Sequence, residues 1–82
     1  MDKSIYTREY RAMLRLLKAT REEAGVTQVD LAKLLGRTQS FVSKTERGES
    51  RLDIIQLRFV LLKLGVELAE FVRRLEAELR RK

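Results

Sequence analysis

Residues Thr27 to Gly48 read TQVDLAKLLGRTQSFVSKTERG, and this stretch decides the fold. It divides into two short helices joined by a tight turn. Thr27 stands where an N-cap hydroxyl accepts from an orphan amide, with Asp30 in the capping-box position and Val26 and Leu31 spaced as a hydrophobic staple. Gly36 is the residue type that takes a left-handed backbone where the first helix must stop. Thr38 caps a second helix, predicted from Gln39 to about Arg47 and closed by Gly48. Ala32, one turn before Gly36, is small enough for the two helices to approach closely. Leu31, Leu35 and Val42 fall on the inward side.

Gln28, Arg37, Gln39, Ser40, Ser43, Lys44 and Arg47 are left pointing outward, with the acid Glu46 among them. Amides, hydroxyls and cations of this kind read base edges and hold phosphates from a major groove. The stretch resembles the helix-turn-helix of the phage repressor and Cro proteins, the XRE family. TQ-x-x-LA-x-x-LG from Thr27, Q-S-x-V-S from Gln39 and E-x-G from Glu46 carry the resemblance, in order and at the family's spacing. It extends more loosely from Arg21 to Phe71. The resemblance implies an all-α, five-helix repressor-like domain with a long N-terminal helix and a C-terminal helix. Its helices 2 and 3 form the helix-turn-helix, and its partner is double-stranded DNA.

Through that resemblance Gln39, Ser40 and Lys44 are expected to contact bases from the start of the recognition helix. A Gln amide can pair with adenine through both its polar atoms, while Lys favours the guanine acceptors. Gln28 resembles the family residue that hydrogen-bonds a phosphate beside the N-terminus of helix 2. Arg37, Ser43, Arg47 and Arg51 are candidates for further contacts to the DNA backbone. Arg21 and Glu46 stand at the positions of a partly buried ion pair tying helix 1 to the recognition helix. A guanidinium meets a carboxylate there in a two-point fork that Lys cannot make. Singly, each of these polar groups is also what an ordinary solvated helix face carries. Arg51 reads equally as a loop charge, and Arg21 as a side chain snorkelling to solvent. Thr45 departs from the family, which usually has a larger apolar residue there. Its methyl can pack, but its hydroxyl needs a backbone acceptor within the helix.

Composition narrows the chemistry. Eighty-two residues suit one small core, and with no Pro and no linker-like run the whole of 1–82 reads as one domain. There is no Cys and no His, so thiolate sites, zinc sites and imidazole catalysis drop out; no metal or cofactor is expected. Ser40 and Ser43 lack an activating His, and no carboxylate pair stands apart from ordinary surface acids, so no enzyme is expected. A formal charge of +6 favours anionic partners. MDKSIYTREY has no apolar signal core, and no segment reaches membrane-spanning length. A cytoplasmic, nucleoid-associated protein of bacterial or phage type is the expectation.

The flanks complete the core. Thr7 is predicted to cap helix 1, Arg8 to Ala24, with Tyr10, Leu14, Leu17, Arg21 and Ala24 inward and Arg8, Arg11, Arg15 and Lys18 wet. Asp53, with Gln56 in the capping-box position and Leu52 and Leu57 as a staple, opens helix 4, Ile54 to Leu64. Leu57, Leu61 and Leu64 form its core stripe, and Ile55, Phe59 and Leu62 a second one displaced around the axis. A helix apolar on two faces must bury both. Helix 5, Val66 to Arg81, carries Leu68, Phe71, Val72, Leu75 and Leu79. A two-fold homodimer through Ile55, Phe59, Leu62, Leu68, Val72, Leu75 and Leu79 is therefore expected, setting two recognition helices about 34 Å apart. The alternative is that the N-terminal segment, with Ile5, Tyr6 and Met13, folds over this surface in a monomer.

The leading functional reading is a transcriptional regulator, a repressor acting on palindromic operators. No ligand-sensing domain follows helix 5 in the sequence, so any switch is expected from outside it. A second reading, of another class, is an antitoxin that binds a partner toxin and autoregulates its operon. A third, a membrane-surface role for helix 5, is opposed by Glu67, Glu70, Glu76 and Glu78.

Overall fold

Four helix starts are set by a side-chain oxygen that takes up an orphan backbone amide. In the computed structural model, which describes residues 7–81, Thr7 accepts from Tyr10 and opens α1 (Arg8–Glu23). Thr27 accepts from Asp30 and opens α2 (Gln28–Leu35). Thr38 accepts from Phe41 and opens α3 (Gln39–Glu46). Asp53 opens α4 (Ile54–Leu64) with a reciprocal capping box, the Gln56 side chain accepting from the Asp53 amide at 2.9 Å. Such caps contribute about 1 kcal/mol each. The last helix, α5 (Leu68–Arg80), begins after Glu67, which makes no side-chain cap bond.

That start lies two residues later than the expected Val66. The cause is the preceding turn: the Val66 amide bonds back to the Leu61 carbonyl at 2.9 Å, and Glu67 is extended. The same backward bond ends α2, from Arg37 to Ala32 at 2.9 Å. It needs a left-handed residue just past the helix, and Gly36 supplies it at φ 68°. The turn of the helix-turn-helix is thus a backbone device that favours Gly by its positive φ rather than by lack of space.

The core gathers around Leu61 and Phe71, both 0 % exposed. Leu17 from α1, Leu31 and Ala32 from α2, Val42 from α3 and Leu52 from the loop before α4 close over them. Leu14, Leu17 and Arg21 are buried on α1, whereas Ala24, expected inward, is exposed because the helix stops at Glu23 and Ala24 already belongs to the turn. A second row on α1, comprising Ala12, Leu16 and Thr20, is also buried. It follows from α1 packing against both α3 and α5, so that one stripe is not enough. Thr20 satisfies its hydroxyl locally, donating to the Leu16 carbonyl at 2.7 Å.

Thr45 does not. Its side-chain oxygen is buried with no hydrogen-bond partner among the described residues, so the backbone acceptor that it needs within the helix is not engaged. Thr45 lines a cavity of about 10 Å³ with Leu17, Leu31, Leu35, Phe41, Val42 and Val60 and with the Arg21–Glu46 pair, whose carboxylate is taken by Arg21 and Gln28. An unsatisfied buried hydroxyl costs about 1–3 kcal/mol. Thr45→Val keeps the shape and removes the oxygen, so it is expected to stabilise the fold by about 1–2 kcal/mol. The check is the urea midpoint at unchanged slope; a midpoint at or below wild type would refute it.

The outer side of α4 is left uncovered, with Ile55 70 %, Phe59 47 % and Leu62 51 % exposed, and Ile54 beside them. The apolar side of α5 is largely used within the chain. Leu68 and Leu75 pack against the core, Leu79 is half-buried, and Val72 is exposed. Met13 packs on the core as part of α1, while Ile5 and Tyr6 lie outside the described residues. No described helix is long and apolar enough to cross a membrane.

Candidate nucleic-acid interface

The second helix of the motif, α3, is held from below and bare above. Val42 and Thr45 are buried, while Gln39, Ser40 and Lys44 are exposed on its outer side and Ser43 is half-buried. Its orientation is locked by a polar chain that starts inside the protein. Arg21 donates from Nε to Glu46 Oε2 at 2.6 Å and from Nη2 to Oε1 at 3.1 Å, with both side chains 8 % exposed. Its remaining nitrogen, Nη1, donates to the Val26 carbonyl at 2.8 Å, which pins the α1–α2 connection as well. The bond to the Glu46 carboxylate raises the Arg21 guanidinium above its ordinary pKa, against the opposing effect of burial.

From Glu46 the chain continues to the surface. Gln28 Nε2 donates to Glu46 Oε1 at 2.9 Å, and Gln39 Nε2 donates to Gln28 Oε1 at 3.4 Å. The first residue of α3 is therefore tied to the first residue of α2, and both to the interior ion pair. One amide hydrogen and the carbonyl oxygen of Gln39 remain for another partner. That donor and acceptor, side by side in one plane, match the major-groove edge of adenine.

The remaining cations are positioned by neighbours that the sequence pattern did not reveal. Arg37, at the turn, lies over the Phe41 ring at 3.8 Å from its centroid. Arg51, in the loop before α4, lies 5.8 Å from the Tyr10 ring centroid. The Tyr10 hydroxyl accepts from the Leu52 amide at 3.1 Å, fastening that loop to α1. Arg47 donates to Ser43 Oγ and forks onto Glu49, with Nε to Oε2 at 2.9 Å and Nη2 to Oε1 at 3.3 Å. This contact raises the Arg47 pKa and holds the Glu49 carboxyl below the usual carboxylate range. Two residues expected to hold phosphates, Ser43 and Arg47, are thus joined to one another and latched to an acid.

Gln28 and Gln39 come together, as do Ser43 and Arg47. Ser40 and Lys44 line the same wet side of α3, and Arg37 and Arg51 stand on the connections before and after it. The exposed residues of α4 adjoin this surface at its Arg37 end: Ile55 and Phe59 border, with Arg37, Phe41 and Leu52, an open groove of about 300 Å³. Phe41, Glu49 and Tyr10 are the neighbours of these cations that the sequence pattern did not point to. Tyr10 was expected only as an inward residue of helix 1, and no role was read for Phe41 or Glu49. The i, i+4 placement of an aromatic after Arg37 is the one local signal that was there to be read.

Comparison with known proteins agrees with this geometry. A helix-turn-helix family matches residues 17–71. Among solved structures, an XRE-family like protein from Pseudomonas syringae pv. tomato str. DC3000 is similar over 93 % of each chain, with 45 % identity and a TM-score of 0.83. A comparison with curated protein sequences gave no match. The family match covers most of the chain and the structural relative nearly all of it, so this chain belongs to the XRE family of helix-turn-helix proteins.

Proposed function

We propose that the chain is a sequence-specific, double-stranded DNA-binding transcriptional regulator that acts as a dimeric repressor on palindromic operators. The observation that supports this most is the hydrogen-bonded chain from Arg21 through Glu46 and Gln28 to Gln39, which presents the start of α3 in a set orientation. In this reading Gln39, Ser40 and Lys44 read bases. Gln28, Arg37, Ser43, Arg47 and Arg51 hold the sugar–phosphate backbone on either side. Arg47 exchanges Glu49 for a phosphate on docking, a swap between two anions at an exposed site. The single domain needs no cofactor, and its place is with DNA in the cytoplasm.

The dimer is proposed through the bare side of α4, led by Ile55, Phe59 and Leu62, with Val72 and the edges of Leu68, Leu75 and Leu79 from α5. An apolar strip of this kind is uncommon on a soluble monomer. Two copies give two half-sites one turn of DNA apart.

Selection from a random duplex library tests the reading, because it returns site, symmetry and half-site spacing together. A palindrome with half-sites about one turn apart is expected; an asymmetric single half-site would contradict the dimer. On the selected site Gln39→Ala and Lys44→Ala should each lose about 1–3 kcal/mol and relax the base preference. Arg47→Ala should weaken selected and scrambled duplexes alike and flatten the salt dependence by about one in slope. Identical behaviour of the two kinds of variant would end the division into readers and holders.

A further inference from the structure

The reading above leaves one row of cations without a task. Arg11, Arg15 and Lys18 follow one another at steps of four and three residues, which puts them on one face of α1. All three are exposed. Opposite them lies the C-terminal end of α3. Arg11, Leu14, Arg15, Lys18, Glu46 and Arg47 enclose an open cleft of about 300 Å³. Its carboxylate, Glu46, is already engaged by Arg21 and Gln28. The cleft therefore presents cations that its own acid does not offset.

The ordinary account of a charged helix face is solvation, strengthened by opposite charges three or four residues apart. The first two members of this row do not follow that pattern, although Lys18 has Glu22 four residues on. At those offsets Arg11 meets Thr7, Arg8, Leu14 and Arg15, and Arg15 meets Arg11, Ala12, Lys18 and Ala19. Neither has an acid there, and each has a like charge, an arrangement that weakens a helix unless an anion from outside compensates it. The row from Arg11 to Lys18 runs about 10 Å along the helix axis. A DNA strand carries a phosphate about every 3.4 Å along its axis, so the row matches about three of them. Arg47 joins the cleft to the recognition helix, since it caps α3 and bonds back to Ser43.

We propose that this cleft is a second phosphate-binding surface, which takes the DNA backbone flanking the bases read by α3 and lengthens the footprint beyond them. The inference rests on α3 being the recognition helix, and its test keeps the two apart. Affinity is measured against salt for the selected site in two duplexes, one trimmed to the base-read positions and one with about ten further base pairs on each side, roughly another helical turn. The variant combines Arg11→Gln, Arg15→Gln and Lys18→Gln; Gln is a good helix former, so α1 should persist. On the long duplex its slope of log affinity against log salt should be shallower than wild type by about 2–3 per protomer. On the trimmed duplex it should match wild type. A second variant, Arg11→Lys with Arg15→Lys, keeps point charges and should retain the wild-type slope on both.

An unchanged slope on the long duplex, or an equal loss on both, overturns the proposal. So does a cleft that serves a free polyanion instead: inorganic tripolyphosphate bound by wild type and lost in the Gln variant, with both duplex slopes unmoved. If wild type fails to prefer the selected site over a scrambled one, it is the α3 reading that falls, and the flanking contact goes with it.

Discussion

Arg21→Ala is expected to destabilise the protein by about 3–5 kcal/mol, the cost of leaving one member of a buried ion pair uncompensated. Arg21 and Glu46 are each 8 % exposed, and the guanidinium makes three bonds: two to Glu46 and one to the Val26 carbonyl. Removing it strands a carboxylate that only Gln28 then reaches. A loss of that size is a large share of a small domain's stability. The apolar double variant Arg21→Met with Glu46→Leu separates stability from function. It removes both charges, so most of the stability should return. DNA affinity should not return with it, because Gln28 and Gln39 lose the anion that orients them. Urea unfolding and DNA titration on the three proteins make the test. A single variant within about 1 kcal/mol of wild type would show that the pair is weak, in the range of exposed ones.

Phe71→Ala is expected to cost about 3–5 kcal/mol. Its side chain is 0 % exposed and is the one residue of α5 buried outright, so the helix is fastened to the core at that point. With the ring gone, Leu68 and Leu75 are the remaining apolar contacts of α5 to the core. The expected result is therefore a lower urea midpoint together with a smaller dependence on urea, as α5 detaches before the rest and leaves less surface to expose. Val72→Ala, one residue on and 39 % exposed, should stay within about 0.5 kcal/mol of wild type. Equal effects at 71 and 72 would mean that α5 is not held where the structure puts it.

What could be read from the chain beforehand was what is local. Thr7, Thr27, Thr38 and Asp53 act on amides three residues away, and Gly36 acts on the turn that contains it. Spacing alone locates such features. The stripe of α4 was equally legible, since Leu57, Leu61 and Leu64 repeat at helical steps. The second buried row of α1 was not. Ala12, Leu16 and Thr20 are covered only because two other helices converge there, and amphipathic spacing counts one partner. The start of α5 was misplaced for a similar reason. Val66 continues an apolar pattern but is used by the turn.

Within the interface, the outward residues of α3 followed from position. The partners that constrain them come from far along the chain or from the unpatterned loop. The Arg21–Glu46 pair, 25 residues apart, was expected only through the family resemblance, and the bond from the Leu52 amide to the Tyr10 hydroxyl, 42 residues apart, was not expected at all. The latch of Glu49 on Arg47 spans only two residues. The sequence gives no sign of it, because loop acids carry no periodicity to read. Thr45 was legible as a misfit whose hydroxyl needs a backbone acceptor, and that need is not met.

The short relay of amides from Glu46 to Gln39 has a thermodynamic consequence. A glutamine waving freely surrenders about 0.5–1.5 kcal/mol of rotational freedom when it settles into a groove. Here much of that freedom is relinquished during folding, long before any duplex arrives. Removing the anion that anchors the relay, as Arg21→Met with Glu46→Leu does, should accordingly appear in calorimetry as a less favourable entropy of association, with its enthalpy nearly intact.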